Sequence, residues 1–326
     1  MSEHSIPVSD LIIPKSHSGR QRVGSSRAER FATGSSLAAT ITRNASKQTY
    51  YTIRFLVDRP LAADAYRAYA YFRWVDDYLD EKCEARCDRF AFVQRQRQII
   101  AAAYAGEQQG HLTDEERLVT DLIGNDKVQN SGVRAYIDNM MAVMAFDAAR
   151  RGALISEAEL TEYTRWLATA VTEALHHFIG HNCAAPHDET RYLAVTAAHI
   201  THMLRDAMED AEAGYYNLPQ AYLASHGIDA LDVNSDTYRA WVKDRVKMAR
   251  HYFQVGRVHM SRIENARRRI AGYAYIARFE VVLGAIERDG YRLRSDYPER
   301  KSKRAALKMG WAVLSQVFKP AKFIGN

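Results

Sequence analysis

Apolar residues recur at three- and four-residue steps along most of this chain, and the residues that punctuate the runs are those that start and stop helices. Pro60 fits the first turn of a helix running to about residue 82. SGVRAYIDNMMAVMAFDAARRG begins on Ser131 and ends at Gly152, and SEAELTEYTRWLATAVTEALHHFIG opens with Ser156 and Glu159 at capping-box spacing and closes at Gly180. DETRYLAVTAAHITHMLRDAMEDAEAG is stopped by Gly214, with Pro219 beyond it. Two further helical stretches cover roughly 236–264 and 266–289. No segment alternates as a strand should, no fixed-period repeat appears, and no Gly/Ser/Pro linker divides the body. The pattern predicts one all-α domain of many helices from about 41 to 295.

Charge interrupts this pattern in two places. YFRWVDDYLDE, residues 71–81, sets Asp76, Asp77, Asp80 and Glu81 among Tyr71, Phe72, Trp74, Val75 and Tyr78. On a helix, Asp76 and Asp80 are neighbours about 5–6 Å apart at Cβ, with Tyr66, Tyr69 and Arg73 along the same stripe. A helix that is apolar nearly all round is buried, and carboxylates on it must be paired, protonated or bound to metal. In HITHMLRDAMEDAEAG, Asp206 and Asp210 are again four apart, with Glu209 beside them, and their stripe continues back through Met203 and His199. Facing each other, two such helices would form an oxygen-only site suited to Mg²⁺. Metal held there would hold a diphosphate and stabilise it as a leaving group. The plainer reading, exposed helix ends carrying ordinary salt bridges, is weakened by the second cluster.

Composition narrows the classes. Hydrophobic residues make up 47% of the chain, enough for a core, and 17 Gly with 7 Pro argue against an all-β or low-complexity protein. Cys83, Cys87 and Cys183 have no framework spacing and read as reduced thiols, which places the protein in the cytoplasm. The formal charge of +6 falls partly in residues 1–40, a Ser-, Gly- and Arg-rich tail expected to be disordered, and partly in ERKSKRAALK near the C-terminus. No basic motif fits a nucleic-acid groove. Without an apolar leader, or a run of eighteen apolar residues, neither secretion by a standard signal nor a membrane span is expected.

At this point the sequence resembles the squalene/phytoene synthase family, the head-to-head branch of the trans-prenyl diphosphate synthases. FRWVDDYLDE is similar to that family's first aspartate-rich motif, and MLRDAMEDAEAG followed by Leu218 and Pro219 to its second. The resemblance runs from about 41 to 300 and implies a multi-helix bundle of the isoprenoid synthase type with a central cavity. It also implies a transferase of isoprenoid biosynthesis, with Asp76, Asp80, Asp206, Glu209 and Asp210 as metal ligands. Asp77 and Tyr163 join the catalytic set, and Thr49, Tyr50, Tyr51, Arg73 and Arg205 contact diphosphate. The implied cofactor is Mg²⁺, with Mn²⁺ as a substitute. Residues usual in the family are replaced here by Thr169, Thr172, His199, His202, Tyr215, Tyr216, Asn217 and Phe279. Nothing readable decides whether NADPH reduces the product.

The function expected from these readings is Mg²⁺-dependent coupling of two prenyl diphosphates, as in squalene, phytoene or presqualene diphosphate synthesis. An alternative keeps the fold but acts on one prenyl diphosphate as a terpene cyclase or diphosphate lyase. A remote alternative, a helical di-iron oxidase, rests on Glu173 and His176. Residues 296–326 read as a basic amphipathic segment, with Leu307, Trp311, Leu314, Val317 and Phe318 at helical steps among lysines, suited to peripheral contact with the inner membrane surface.

Overall fold

Ser156 caps its helix as its spacing to Glu159 predicts: its hydroxyl accepts the Glu159 N–H at 3.2 Å, and the Glu159 carboxylate accepts the Ser156 N–H at 2.8 Å. The computed structural model describes residues 27–301, apart from 84, 109 and 182, together with 310. Within them lie α1 (Arg27–Ala45), α2 (Lys47–Leu56), α3 (Ala62–Glu81), α4 (Arg86–Ala105), α5 (Asp114–Asn125) and α6 (Gly132–Arg150). They continue with α7 (Glu157–Phe178), α8 (Thr190–Glu212), α9 (Gln220–His226), α10 (Asp236–Ser261) and α11 (Ala266–Arg288). No strand occurs among the described residues, only an isolated bridge between Ile155 and Pro219. Pro60 sits in a 3-10 turn, Arg59–Leu61, that leads into α3.

One expectation is corrected. The tail read as disordered to residue 40 is helical from Arg27, and Ala38 is fully buried. Ser, Gly and Arg composition marks this segment as polar, but the apolar step through Leu37, Ala38 and Ile41 gives α1 a face to bury. The basic segment beyond 301 lies outside the described residues.

The helices group into two compact units: α1 to α6 with the last turn of α7, and the rest of α7 with α8 to α11. In the first unit α3 is the central element, packed against α1 and α5. Ala70, Tyr71, Phe72 and Val75 are fully buried, and Phe72 meets the Tyr136 ring edge-on at 5.2 Å. A buried polar chain runs beside them: the Tyr71 hydroxyl donates to Gln96, whose amide donates to Glu116, which also takes a fork from Arg95. In the second unit α8 packs on α10 and α11. Gly256 of α10 permits this approach, since a Cβ there would lie 2.8 Å from the Ala194 Cβ of α8.

Candidate active site

The aspartates of α3 take different roles. Buried Arg73 donates through Nε to Asp77 Oδ2 at 2.9 Å and through Nη2 to Asp77 Oδ1, while Nη1 reaches Asp76 Oδ2 at 3.3 Å. Asp77, one position off the stripe, is therefore the counter-ion that orients Arg73. The Asp76 carboxyl is held well above the usual carboxylate range, first by burial and then by the charge of Asp80; Arg73 pulls it down, while Asp77 and Asp147 add to the rise. A carboxyl pushed toward its neutral form by like charges is one whose ionised form a divalent cation would favour.

Thr49, Tyr50 and Tyr51 lie in the first half of α2. Ser46 caps it, accepting the Thr49 N–H at 3.1 Å and the Thr49 hydroxyl at 3.0 Å. Tyr66 of α3 donates to the Tyr50 carbonyl at 3.2 Å, and Tyr51, half exposed, stacks on Phe55. No acidic residue stands in the first turn of α2, where free backbone N–H groups attract anions.

On α8 the second motif is built as an ion pair and a relay. Arg205 forks onto Asp206 through Nε and Nη2, both at 2.6 Å, and Nη2 also lies 2.7 Å from His202 Nε2. Buried Asp210 accepts from the Asn217 amide at 2.8 Å, and the Asn217 carbonyl accepts from Arg150 at 3.0 Å. The Arg150 guanidinium lies over the rings of Tyr163 and Tyr215, at 5.0 and 5.1 Å. Gly214 makes the turn that brings Asn217 back: its φ is +88°, and its carbonyl accepts the Gly152 N–H at 2.8 Å. Glu209 is only half-buried.

Tyr163 is fully buried, with the His199 ring 5.1 Å away. His199 has no hydrogen-bond partner at either ring nitrogen. Burial, with the Arg150 charge adding, lowers its pKa from 6.5 to about 3, so the imidazole is neutral at physiological pH.

The donor set is all carboxylate oxygen, which matches Mg²⁺ rather than a softer metal. No group of three His, Cys, Asp or Glu side chains among the described residues is arranged to hold an ion unaided. Glu173, the acidic member of the Glu173–His176 pair, is taken up by Arg191 at 2.8 and 2.7 Å and by the Tyr192 hydroxyl at 2.9 Å. Asp147 and Arg150 are absent from the sequence reading, and Asn217 enters it only as a departure from the residue usual in the family.

Comparison with known proteins adds to this geometry. A family model described as squalene/phytoene synthase matches residues 42–310. A presqualene diphosphate synthase of Rhodopseudomonas palustris is 30% identical over 184 residues, 56% of this chain and 62% of that protein. A chloroplastic phytoene synthase of Narcissus pseudonarcissus is 29% identical over 121 residues, 35% of this chain and 28% of its own. The matched stretches thus span less than two thirds of either relative. Among solved structures, a dehydrosqualene synthase superposes with a TM-score of 0.65 at 15% identity, covering 88% of this chain and 96% of that one, which shows the same all-α fold.

Proposed function

The chain belongs to the squalene/phytoene synthase family, and from that premise we propose that it is a Mg²⁺-dependent prenyltransferase that couples two prenyl diphosphates head-to-head. The observation that carries this reading is the half-buried Asp76 carboxyl, raised by desolvation and by Asp80 despite the Arg73 contact, so that a further cation would favour its ionised form. Asp76 and Asp80 would hold metal from the first motif, and Asp206 and Asp210 from the second; Mn²⁺ would serve in place of Mg²⁺. Bound Mg²⁺ supplies charge stabilisation for a departing diphosphate.

The chain's own residues do the rest. Asp77 holds Arg73 and Asp206 holds Arg205, so each guanidinium is fixed in direction before substrate arrives. Thr49, Tyr50 and Tyr51 would contact diphosphate near the Ser46-capped start of α2, where the helix dipole favours an anion. Tyr163, with Arg150 over one side and His199 in contact, is held rigidly and away from water. Keeping water from a reactive allylic cation is the requirement that buried side chains of this kind meet.

A second reading, one prenyl diphosphate ionised and then cyclised or hydrolysed, is favoured by Thr169 and Thr172. Thr172 is buried and its hydroxyl has no hydrogen-bond partner, a polar atom at a position where glycine is usual in the family. The two readings separate on incubation with Mg²⁺ and geranyl, farnesyl or geranylgeranyl diphosphate, each supplied alone. Coupling yields an extract with twice the substrate's carbon count; products no larger than the substrate would overturn it. No described helix is long and apolar enough to cross a membrane. We place the working enzyme in the cytoplasm, with bilayer contact through the basic C-terminal segment.

A further inference from the structure

In the second unit, α7, α8 and α10 enclose a trough of about 520 Å³. None of the acidic side chains of α8 lines it, although Met203 and Thr169 do. At about 30 Å³ per water-sized group, it has room for roughly seventeen such groups in a row or cluster.

The walls are more apolar than their residue types suggest. Leu160, Ala168, Ile200, Met203 and Met248 contribute hydrocarbon and thioether surface. Four threonines also line it, and the hydroxyls of three are turned to the carbonyl four residues back. Thr161 donates to Glu157 at 2.8 Å, Thr164 to Leu160 at 2.8 Å and Thr196 to Tyr192 at 3.1 Å. Their hydrogen-bonding capacity is spent inside the helices, which leaves the methyl groups as wall.

Polarity is concentrated where Arg245 meets Trp241. The Arg245 guanidinium lies 5.2 Å over the Trp241 ring and pairs with Glu157 at 3.1 and 3.3 Å. Glu157 is 59% exposed and Arg245 only 18%, so the carboxylate is the partner free to swing away. Trp241 is buried, lines the trough, and its indole N–H has no hydrogen-bond partner. A buried donor left without an acceptor implies that an acceptor is missing. Arg165 at the rim is tied to Glu162 and adds a second cation beside the opening.

We propose that this trough binds a single linear lipid chain with an anionic head, the chain lying along the methyl-lined walls and the head replacing Glu157 on Arg245 and accepting from Trp241. A free fatty acid and a prenyl phosphate share this chemistry. A peptide matches the walls poorly, because surface built mainly of aliphatic, methyl and thioether groups leaves most of its backbone polar groups unpaired. The site does not depend on the proposed coupling reaction.

Isothermal titration of the full chain in Mg²⁺-free buffer tests it, with oleate below its micelle concentration, farnesyl monophosphate, and oleyl alcohol as the neutral control. One-to-one binding of either anion supports the site, and the anion that binds identifies the source. Thr164→Phe, at a half-buried wall position, should abolish binding. Arg245→Glu should weaken it roughly tenfold or more, the loss of one charge-assisted contact. Binding should survive Asp206→Asn. The proposal is overturned if neither anion binds, if stoichiometry well exceeds one, if oleyl alcohol binds as tightly, or if Asp206→Asn removes binding. Indifference to Arg245→Glu overturns it as well, and that partly exposed position decides the matter should Thr164→Phe fail to fold.

Discussion

Arg205 and Asp206, adjacent in sequence, form a buried two-pronged ion pair, each contact 2.6 Å long. Adjacent residues on a helix normally point apart, so the guanidinium must fold back across its own turn to make this contact. It does so with His202 as a second support.

Removing one partner from such a pair leaves a buried charge behind. Arg205→Ala should destabilise the metal-free protein by about 3 kcal/mol, toward the low end for broken buried pairs. Adding Asp206→Asn should restore a large part of that loss, measured by urea unfolding. Equal destabilisation in the single and double variants would show that the pair itself is not the source.

For Asp76 the sign runs the other way. Its folded pKa lies above 3.8, so the native state holds the proton more tightly than the unfolded chain. Between those two pKa values stability falls as pH rises. Asp76→Asn should therefore melt higher than wild type at neutral pH without metal, and the advantage should vanish as pH drops below about 4. The same substitution should abolish turnover at saturating Mg²⁺, and near wild-type activity would remove Asp76 from the metal set.

His199 titrates in the opposite sense. Its folded pKa of about 3 lies below the ordinary 6.5, so its contribution is complete above 6.5 and is lost as pH falls toward 3. His199→Gln should flatten the acid limb of the stability curve there by up to about 1.4 kcal/mol per pH unit. An unchanged limb in chemical unfolding from pH 7 to 4 would mean that the ring is hydrated and not desolvated.

Much of this fold was legible because caps and stripes are local. Ser156, Glu159, Gly180 and Gly214 act within a turn of the residues they terminate, and α7 and α8 fall where those signals put them. The two Asp pairs were legible for the same reason, being four-residue repeats on one helix. The relay through Asn217 to Arg150 was not, because its members are 67 residues apart and meet only through the Gly214 turn. Arg73 and Asp77 were read as separate functions, although their four-residue spacing allows the pair that forms.

Metal and diphosphate should reinforce each other. With Mg²⁺ plus inorganic diphosphate, the melting temperature should rise by more than the sum of the separate shifts, since each completes the other's coordination. Strictly additive shifts in a thermal scan would place the two at independent sites.

The basic segment beyond residue 301 gives a separate expectation. Deleting 302–326 should leave turnover of soluble substrate measurable while ending co-sedimentation with phosphatidylserine-containing vesicles at low salt. Failure of the full chain to sediment with them would remove the membrane role.

Asn217 and Arg205 also leave the two aspartates of α8 unequally prepared. Asn217 steadies Asp210 with an amide, which aligns the carboxylate but brings no net charge. Asp206 already has a full positive partner within hydrogen-bonding distance. An arriving cation would meet two carboxylates with unlike partners, so ligation at Asp206 would require its arginine to let go, and a guanidinium released at that moment would be free to take up the next anion to enter.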